Sequence, residues 1–78
     1  MNSEMKRKES AEMRSRFAAK LRSLLATKKL TQADVARQMG TTDATISHWT
    51  RGKVMPRGAA LTVRLARFLG TSVDDLFS

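Results

Sequence analysis

The apolar residues of this chain recur at intervals of three and four from residue 13 onward, and no segment alternates with a period of two. Such spacing places apolar side chains on one face of an α-helix, whereas a strand needs alternation. The 78-residue chain has no cysteine and one histidine, which excludes a disulfide framework and a cysteine- or histidine-built metal site. The sequence therefore predicts an all-α fold, a compact bundle of five helices, with no metal and no cofactor.

The first helix follows a segment of different character. Residues 1–9 have no apolar periodicity and contain the run Lys6-Arg7-Lys8, so we expect a flexible basic arm ahead of a folded domain over residues 10–78. Helix 1 is predicted over about residues 11–28. Its expected core-facing residues share one helical face: Met13, Phe17, Leu21, Leu24 and Leu25.

Two short helices follow, separated by a turn that begins with Gly40. Thr31 and Asp34 have the spacing of a capping box, which predicts helix 2 over about residues 32–39. Thr42 caps helix 3, in which Ile46 and Trp49 are in phase for the core and Gly52 ends the helix. Two short helices joined by a tight turn of this kind are typical of a helix-turn-helix unit.

The last two helices are marked by a proline and a second capping box. Helix 4 is predicted to begin just after Pro56 and to end at Gly70. The sequence Ser72-Val73-Asp74-Asp75 opens a short helix 5. Three apolar residues there exceed what one short segment buries, so we expect a two-fold contact in a homodimer through Val73, Leu76 and Phe77.

The charge of the chain indicates a polyanionic partner. Fifteen Lys and Arg residues against seven Asp and Glu residues give a formal net charge of +8. An excess of this size points first to nucleic acid and second to an acidic membrane surface. Because no apolar run could span a membrane and no signal peptide is recognisable, we expect a cytoplasmic protein, associated with the nucleoid through DNA binding.

The sequence offers no arrangement of catalytic residues. Phosphate-binding glycine motifs and the H-E-x-x-H metalloprotease motif are absent from it. Helix capping accounts for the acidic pair Asp74-Asp75, and His48 has only scattered serines and threonines as candidate partners. We therefore expect the chain not to be an enzyme.

The residues of the central segment carry a family resemblance. The stretches TQADVARQMG, starting at Thr31, and TISHWTRGK, starting at Thr45, resemble the XRE family, the DNA-binding fold of lambda-type repressors and Cro. The later LARFLGTSVDDLF resembles the fourth and fifth helices of that family, and the resemblance extends over about residues 17–77. It implies a lambda-repressor-like bundle in which helix 3 lies in the major groove of double-stranded DNA.

The resemblance also implies roles for individual residues. The positions that face the bases are occupied by Thr42, Asp43, Ala44, Ser47 and His48. The positions that contact the DNA backbone are occupied by Gln32, Thr45, Arg51, Lys53 and Arg57. This division agrees with the chemistry, because Arg and Lys fix the register on phosphates while the start of a helix reads base edges.

Several roles remain open from the sequence. Asp43 either accepts a hydrogen bond from a cytosine amino group or only stabilises the start of helix 3. His48 either contacts DNA or is a solvated surface residue. Core packing is favoured over nucleotide stacking for Trp49. The run Lys6-Arg7-Lys8 either wraps DNA or forms a solvated tail.

The chain departs from the family pattern at three places. Many relatives pair an Arg on helix 1 with a Glu that follows the core residue of helix 3. This chain has Leu25 and Thr50 at those positions, for which we expect an apolar contact. Lys29 stands where a Gly usually ends helix 1, and a left-handed backbone at this position would cost a lysine about 1 kcal/mol. The loop over residues 53–58 is one residue longer than usual, which leaves the role of Arg57 open.

These observations favour a sequence-specific transcriptional regulator, a dimeric repressor of a pseudo-palindromic operator. The alternative is an antitoxin, or another protein-interaction module, that binds a toxin or other protein partner and whose DNA binding is autoregulatory. Binding to membranes or calmodulin-like partners through helix 1 is disfavoured, because the capping boxes indicate a closed domain. A phage repressor, a restriction–modification controller and an antitoxin share this sequence pattern, as does a domain of a larger protein.

Overall fold

The computed structural model describes the backbone of residues 3–78 and the side chains from Ser10 onward. Within that range the chain forms five α-helices and no strand: α1 (Ser3–Lys28), α2 (Gln32–Met39), α3 (Asp43–Thr50), α4 (Ala59–Leu69) and α5 (Val73–Leu76). The predicted all-α fold is confirmed. The bounds of α2 equal the predicted ones, because a local capping residue marks each of its ends.

Helix α1 begins at Ser3 rather than at about residue 11 as predicted. The predicted start depended on apolar periodicity, which residues 3–9 lack, whereas the Glu, Met, Lys and Arg residues of this segment have favourable helix propensities. The side chains of the run Lys6-Arg7-Lys8 lie outside the described residues, as do Met1 and Asn2. The flexibility expected of residues 1–9 stays a prediction.

Met13 was expected in the core, and this expectation is wrong. Its side chain is 43% exposed, and Phe17 is the first buried residue of α1 within the described side chains. The neighbouring structure explains the difference. Helix α1 contacts the turn after α3 at Arg14 and Ala18, so Met13 lies at the edge of the bundle although it is in phase with the core residues.

The core is built from one face of each helix. Its fully buried larger side chains come from all five helices: Phe17, Leu21, Val35, Ile46, Leu65, Leu69 and Leu76. The Phe17 ring meets Trp49 edge to face at 6.3 Å and stacks on Phe77 at 5.6 Å. These two ring contacts join α1 to α3 and to the end of α5.

The predicted capping box of α2 is present. The Thr31 hydroxyl accepts from the Asp34 amide at 3.1 Å, and the Asp34 carboxylate accepts from the Thr31 amide at 2.9 Å. Hydrogen bonds from the Thr31 amide and hydroxyl, and the nearby Arg37 guanidinium, hold the pKa of Asp34 below its usual value. Because the folded-state pKa is lowered, this interaction stabilises the fold above the usual Asp pKa and is lost as pH falls through the lowered value.

Helices α1, α2 and α4 each end at a residue with a left-handed backbone conformation. At Gly40 and at Gly70 the chain is left-handed, with φ of 67° and 69°. Lys29 occupies the same position after α1 with φ of 56°, and its neighbour Leu30 donates to the Leu25 carbonyl at 2.9 Å. Lys29 therefore meets the condition under which a lysine here is strained, and it carries a steric cost that a glycine avoids.

Candidate nucleic-acid interface

The turn between α2 and α3 is fixed by hydrogen bonds at both of its ends. The amide of Thr41 donates back to the Ala36 carbonyl at 2.9 Å, which completes the left-handed turn at Gly40. The Thr42 hydroxyl accepts from the Thr45 amide at 3.3 Å and caps α3. Only three residues, 40–42, lie between the end of α2 and the start of α3.

Helix α3 has one buried and one exposed face. Ile46, Trp49 and Thr50 are buried. The opposite side presents residues that were predicted to face bases: Thr42, Asp43, Ala44 and His48 are exposed, and Ser47 is half-buried. Trp49 is only 2% exposed, so it is a core residue and offers no ring for nucleotide stacking.

The basic residues that follow α3 are held against the bundle by their backbone. The amide of Lys53 donates to the His48 carbonyl at 3.0 Å, and Gly52 is left-handed with φ of 75°. A Cβ at Gly52 would lie 3.5 Å from the Arg14 carbonyl oxygen. The backbone therefore packs closely on α1, while the Arg51 and Lys53 side chains are exposed.

Arg57 and Thr45, both predicted to contact the DNA backbone, line one hollow of about 300 Å³ beside α3. The other lining residues are mostly apolar: Trp49, Val54, Met55 and Leu61. The structure thus brings Arg57 next to α3 although four loop residues (53–56) separate it from Gly52. Gln32, at the first position of α2, is also exposed.

Sequence reasoning missed two arginines of α1 that donate hydrogen bonds to backbone carbonyls at the C-terminal end of α3. Arg14 and Arg22 lie outside the apolar pattern that marks the core face of α1, yet Arg14 Nε donates to the Gly52 carbonyl at 3.2 Å. Arg22 Nη1 donates to the Thr50 carbonyl at 2.6 Å. Both lie one helical turn from the buried Ala18, and this spacing is the signal that could have placed them at the edge of the core.

Thr50 has polar partners at the position where an apolar contact with Leu25 was expected to replace the family ion pair, and that contact stays a prediction. Leu25 and Thr50 are both buried. However, the Thr50 hydroxyl donates to the Ser47 carbonyl at 2.9 Å and lies 3.4 Å from the Gln32 amide nitrogen. A buried hydroxyl must find such partners, because burial without them is costly.

The expected dimer contact needs correction at one residue. Leu76 is fully buried in the core of its own chain, so it has no surface for a partner. Phe77 is half-buried against Phe17, and Val73 is half-buried at the start of α5. Most of the apolar surface of Val73, Leu76 and Phe77 is therefore buried within the chain itself, because Leu76 lies in the core and Phe77 stacks on the Phe17 ring.

The structure also bears on two other classes of site. Within residues 3–78, none of the helices is both long enough and apolar enough to cross a membrane. Among the described side chains, no group of three His, Asp or Glu residues is arranged to hold a metal ion.

Two helices joined by a three-residue turn, the second with an exposed polar face, define a helix-turn-helix protein. The chain belongs to the helix-turn-helix domain family, whose model matches residues 16–77 and falls within the XRE-like clan. The resemblance seen in the sequence is thereby confirmed. Helix-turn-helix domains are typical of DNA-binding regulators.

Two solved structures are similar to the chain. The crystal structures of apo HppE and of Fe(II) HppE in complex with substrate each superpose with a TM-score of 0.74 at 28% identity. The match covers 81% of this chain but 35% and 36% of theirs, so the chain spans about a third of the length of those proteins. Comparison with curated proteins gives no match.

Proposed function

We propose that the protein is a sequence-specific transcriptional regulator that binds double-stranded DNA through α3. One observation carries the proposal: the exposed face of α3 presents Ala44, Ser47 and His48, and the exposed cations Arg51 and Lys53 follow directly. The small side chains of Ala44 and Ser47 allow close approach to base edges, the polar ones of Ser47 and His48 can form hydrogen bonds with them, and cations beside them neutralise phosphates.

The residues divide into two sets by their placement. Base readout falls to the start and outer face of α3: Thr42, Asp43, Ala44, Ser47 and His48. Backbone contacts fall to residues around it: Gln32, Thr45, Arg51, Lys53 and Arg57. Thr42 already caps α3 with its hydroxyl, so its DNA contact has to leave that cap in place. The hollow shared by Thr45 and Arg57 supports a common backbone role for these two residues.

The regulator acts as a homodimeric repressor in the cytoplasm. An eight-residue recognition helix reads only a few base pairs, so two copies on a pseudo-palindrome supply the specificity that a genome requires. Occupying the operator blocks transcription, and this mechanism needs neither a cofactor nor catalysis.

The similarity to HppE does not by itself favour DNA binding. One HppE structure is described with Fe(II) and substrate, and the matched part is about a third of its chain. The fold therefore also occurs within longer proteins of another description. The proposal depends on the exposed residues of α3 and on the cations beside it rather than on the fold alone.

The salt dependence of DNA binding tests the proposal. Duplexes selected from random DNA with the protein should share one pseudo-palindrome. The affinity for it should fall steeply with salt, with a log–log slope of about −0.9 per neutralised phosphate. Arg51→Ala should make that slope about 0.9 shallower for each copy bound and weaken all duplexes by similar factors. Fluorescence anisotropy over a salt series measures both quantities.

Arg67→Ala provides the matched control, because Arg67 is an exposed arginine on α4 outside the proposed contact set. It should leave the slope unchanged. Random DNA that yields no common sequence, or a slope equal for the two arginine variants, would contradict the assignment.

A further inference from the structure

Among the described side chains, Thr50 is the one polar residue that is buried, with 6% of its surface exposed. It is the last residue of α3 and lies between two other helices. Its hydroxyl carries a single hydrogen, which is donated to the Ser47 carbonyl at 2.9 Å. Toward any second partner the hydroxyl oxygen can only accept.

That second partner is the side-chain amide of Gln32, with Nε2 3.4 Å from Thr50 Oγ1. Because Thr50 can only accept here, Gln32 must present its NH₂ group and not its carbonyl oxygen. One N–H is then engaged by Thr50, and the second N–H is left to donate elsewhere. The hydrogen bond is long, yet the Thr50 hydroxyl can act only as an acceptor in it, so it binds the NH₂ end of the Gln32 amide.

Arg22 fixes the position of Thr50 from the opposite side. Its guanidinium donates to the Thr50 backbone carbonyl at 2.6 Å, and it places a positive charge at the C-terminal end of α3. Thr50 is thus tied through its carbonyl to α1 and through its hydroxyl to the first residue of α2.

We infer that Thr50 is a positioning residue that fixes the donor end of the Gln32 amide for a phosphate oxygen. The inference rests on the proposed function, in which Gln32 contacts the DNA backbone. A phosphate accepts hydrogen bonds only, so an amide that turned its carbonyl outward would repel it. Thr50 prevents that reversal through a hydroxyl that itself never touches DNA.

The first test uses the free protein. Thr50→Val keeps the shape of the side chain and the backbone carbonyl that Arg22 binds, but it removes the hydroxyl. The NMR order parameter of the Gln32 side-chain amide should fall toward the flexible range, below about 0.6. Thr50→Ser should retain the order parameter of the unmodified protein, and so should the control Thr27→Val at an exposed position of α1.

The second test uses a selected duplex and a random one. Thr50→Val should weaken both by the same factor, about 2- to 10-fold, the value of one ordinary hydrogen bond. The salt slope should stay unchanged, since the amide is neutral and releases no counterion. Thr50→Ser should restore the affinity.

A double variant separates positioning from a general loss of structure. Gln32→Ala alone should weaken binding at least as much as Thr50→Val, and the pair together should lose no more than Gln32→Ala alone. Additive losses, or a Thr50→Ser variant as weak as Thr50→Val, would overturn the inference while leaving DNA binding intact. A protein that binds no duplex would overturn the proposed function and this inference together.

Discussion

Lys29 is the one non-glycine residue within the described range with a left-handed backbone. It ends α1 in the same way that Gly40 and Gly70 end α2 and α4. For an L-residue this conformation costs about 1–2 kcal/mol, because the Cβ crowds the backbone. Leu30 follows at once and packs against the core, so the turn cannot relax without moving a core residue.

We therefore expect Lys29→Gly to stabilise the protein. Relief of the steric cost is partly offset by the greater freedom of glycine in the unfolded chain, which leaves a net gain of about 0.5–1 kcal/mol. The melting temperature of a domain of this size should rise by about 2–8 °C. Lys29→Ala removes the same charge but keeps the Cβ, so its melting curve should match the unmodified protein. A Lys29→Gly variant no more stable than Lys29→Ala would show that the turn is not strained.

Hydrogen bonds hold helix α3 at both ends, by a neighbouring residue at its start and by residues of α1 at its end. Thr42 caps its start, and Arg14 and Arg22 donate to the Gly52 and Thr50 carbonyls at its end. Its inner face is anchored by Ile46 and Trp49. A helix fixed in this way presents its outer residues in one orientation, which sequence-specific readout requires.

His48 and Ala44 should accordingly affect specificity more than affinity. His48→Ala should reduce discrimination between the selected duplex and single-base variants by about 1–3 kcal/mol at one position, because base contacts carry the sequence information. Ala44→Arg should change the preferred base. Anisotropy against a panel of single-base variants measures both. Equal weakening on selected and random DNA would instead place His48 among the backbone contacts.

Under the proposed function each copy offers one recognition helix, α3, within the described residues, so the symmetry of binding to DNA can be tested at the scale of the whole molecule. Phe77→Asp is unsuitable for testing the dimer, because Phe77 stacks on Phe17 and a carboxylate there would damage the core of each chain. The geometry of the operator tests it without altering the protein.

Two half-sites about one helical turn apart, roughly 34–36 Å, should bind two copies cooperatively. Inserting about five base pairs moves one half-site to the opposite side of the duplex, since a turn contains about 10 base pairs, and should abolish the cooperativity. Sedimentation with duplexes of one and two half-sites measures the stoichiometry. A single copy on the two-site duplex, or cooperativity indifferent to spacing, would rule out the dimeric arrangement.

The sequence by itself determined those helices whose ends are defined by capping residues close to them in the chain. The capping box of Thr31 and Asp34 and the left-handed Gly40 depend on residues within four positions of each other, so α2 could be predicted to the residue. The inward phase of Ile46 and Trp49 followed from spacing alone. The exposed face of α3 was predictable for the same reason, whereas the DNA-contact roles of individual residues came from the family resemblance.

Only the tertiary structure decided which surfaces are covered. Met13 and Leu76 both continue an apolar pattern, yet one is exposed and the other fully buried, because coverage depends on where distant helices end and where Phe17 points. The hydrogen bonds of Arg22 and Gln32 to Thr50 span 28 and 18 residues of sequence. No local pattern encodes such partners, since they meet only after the helices have packed.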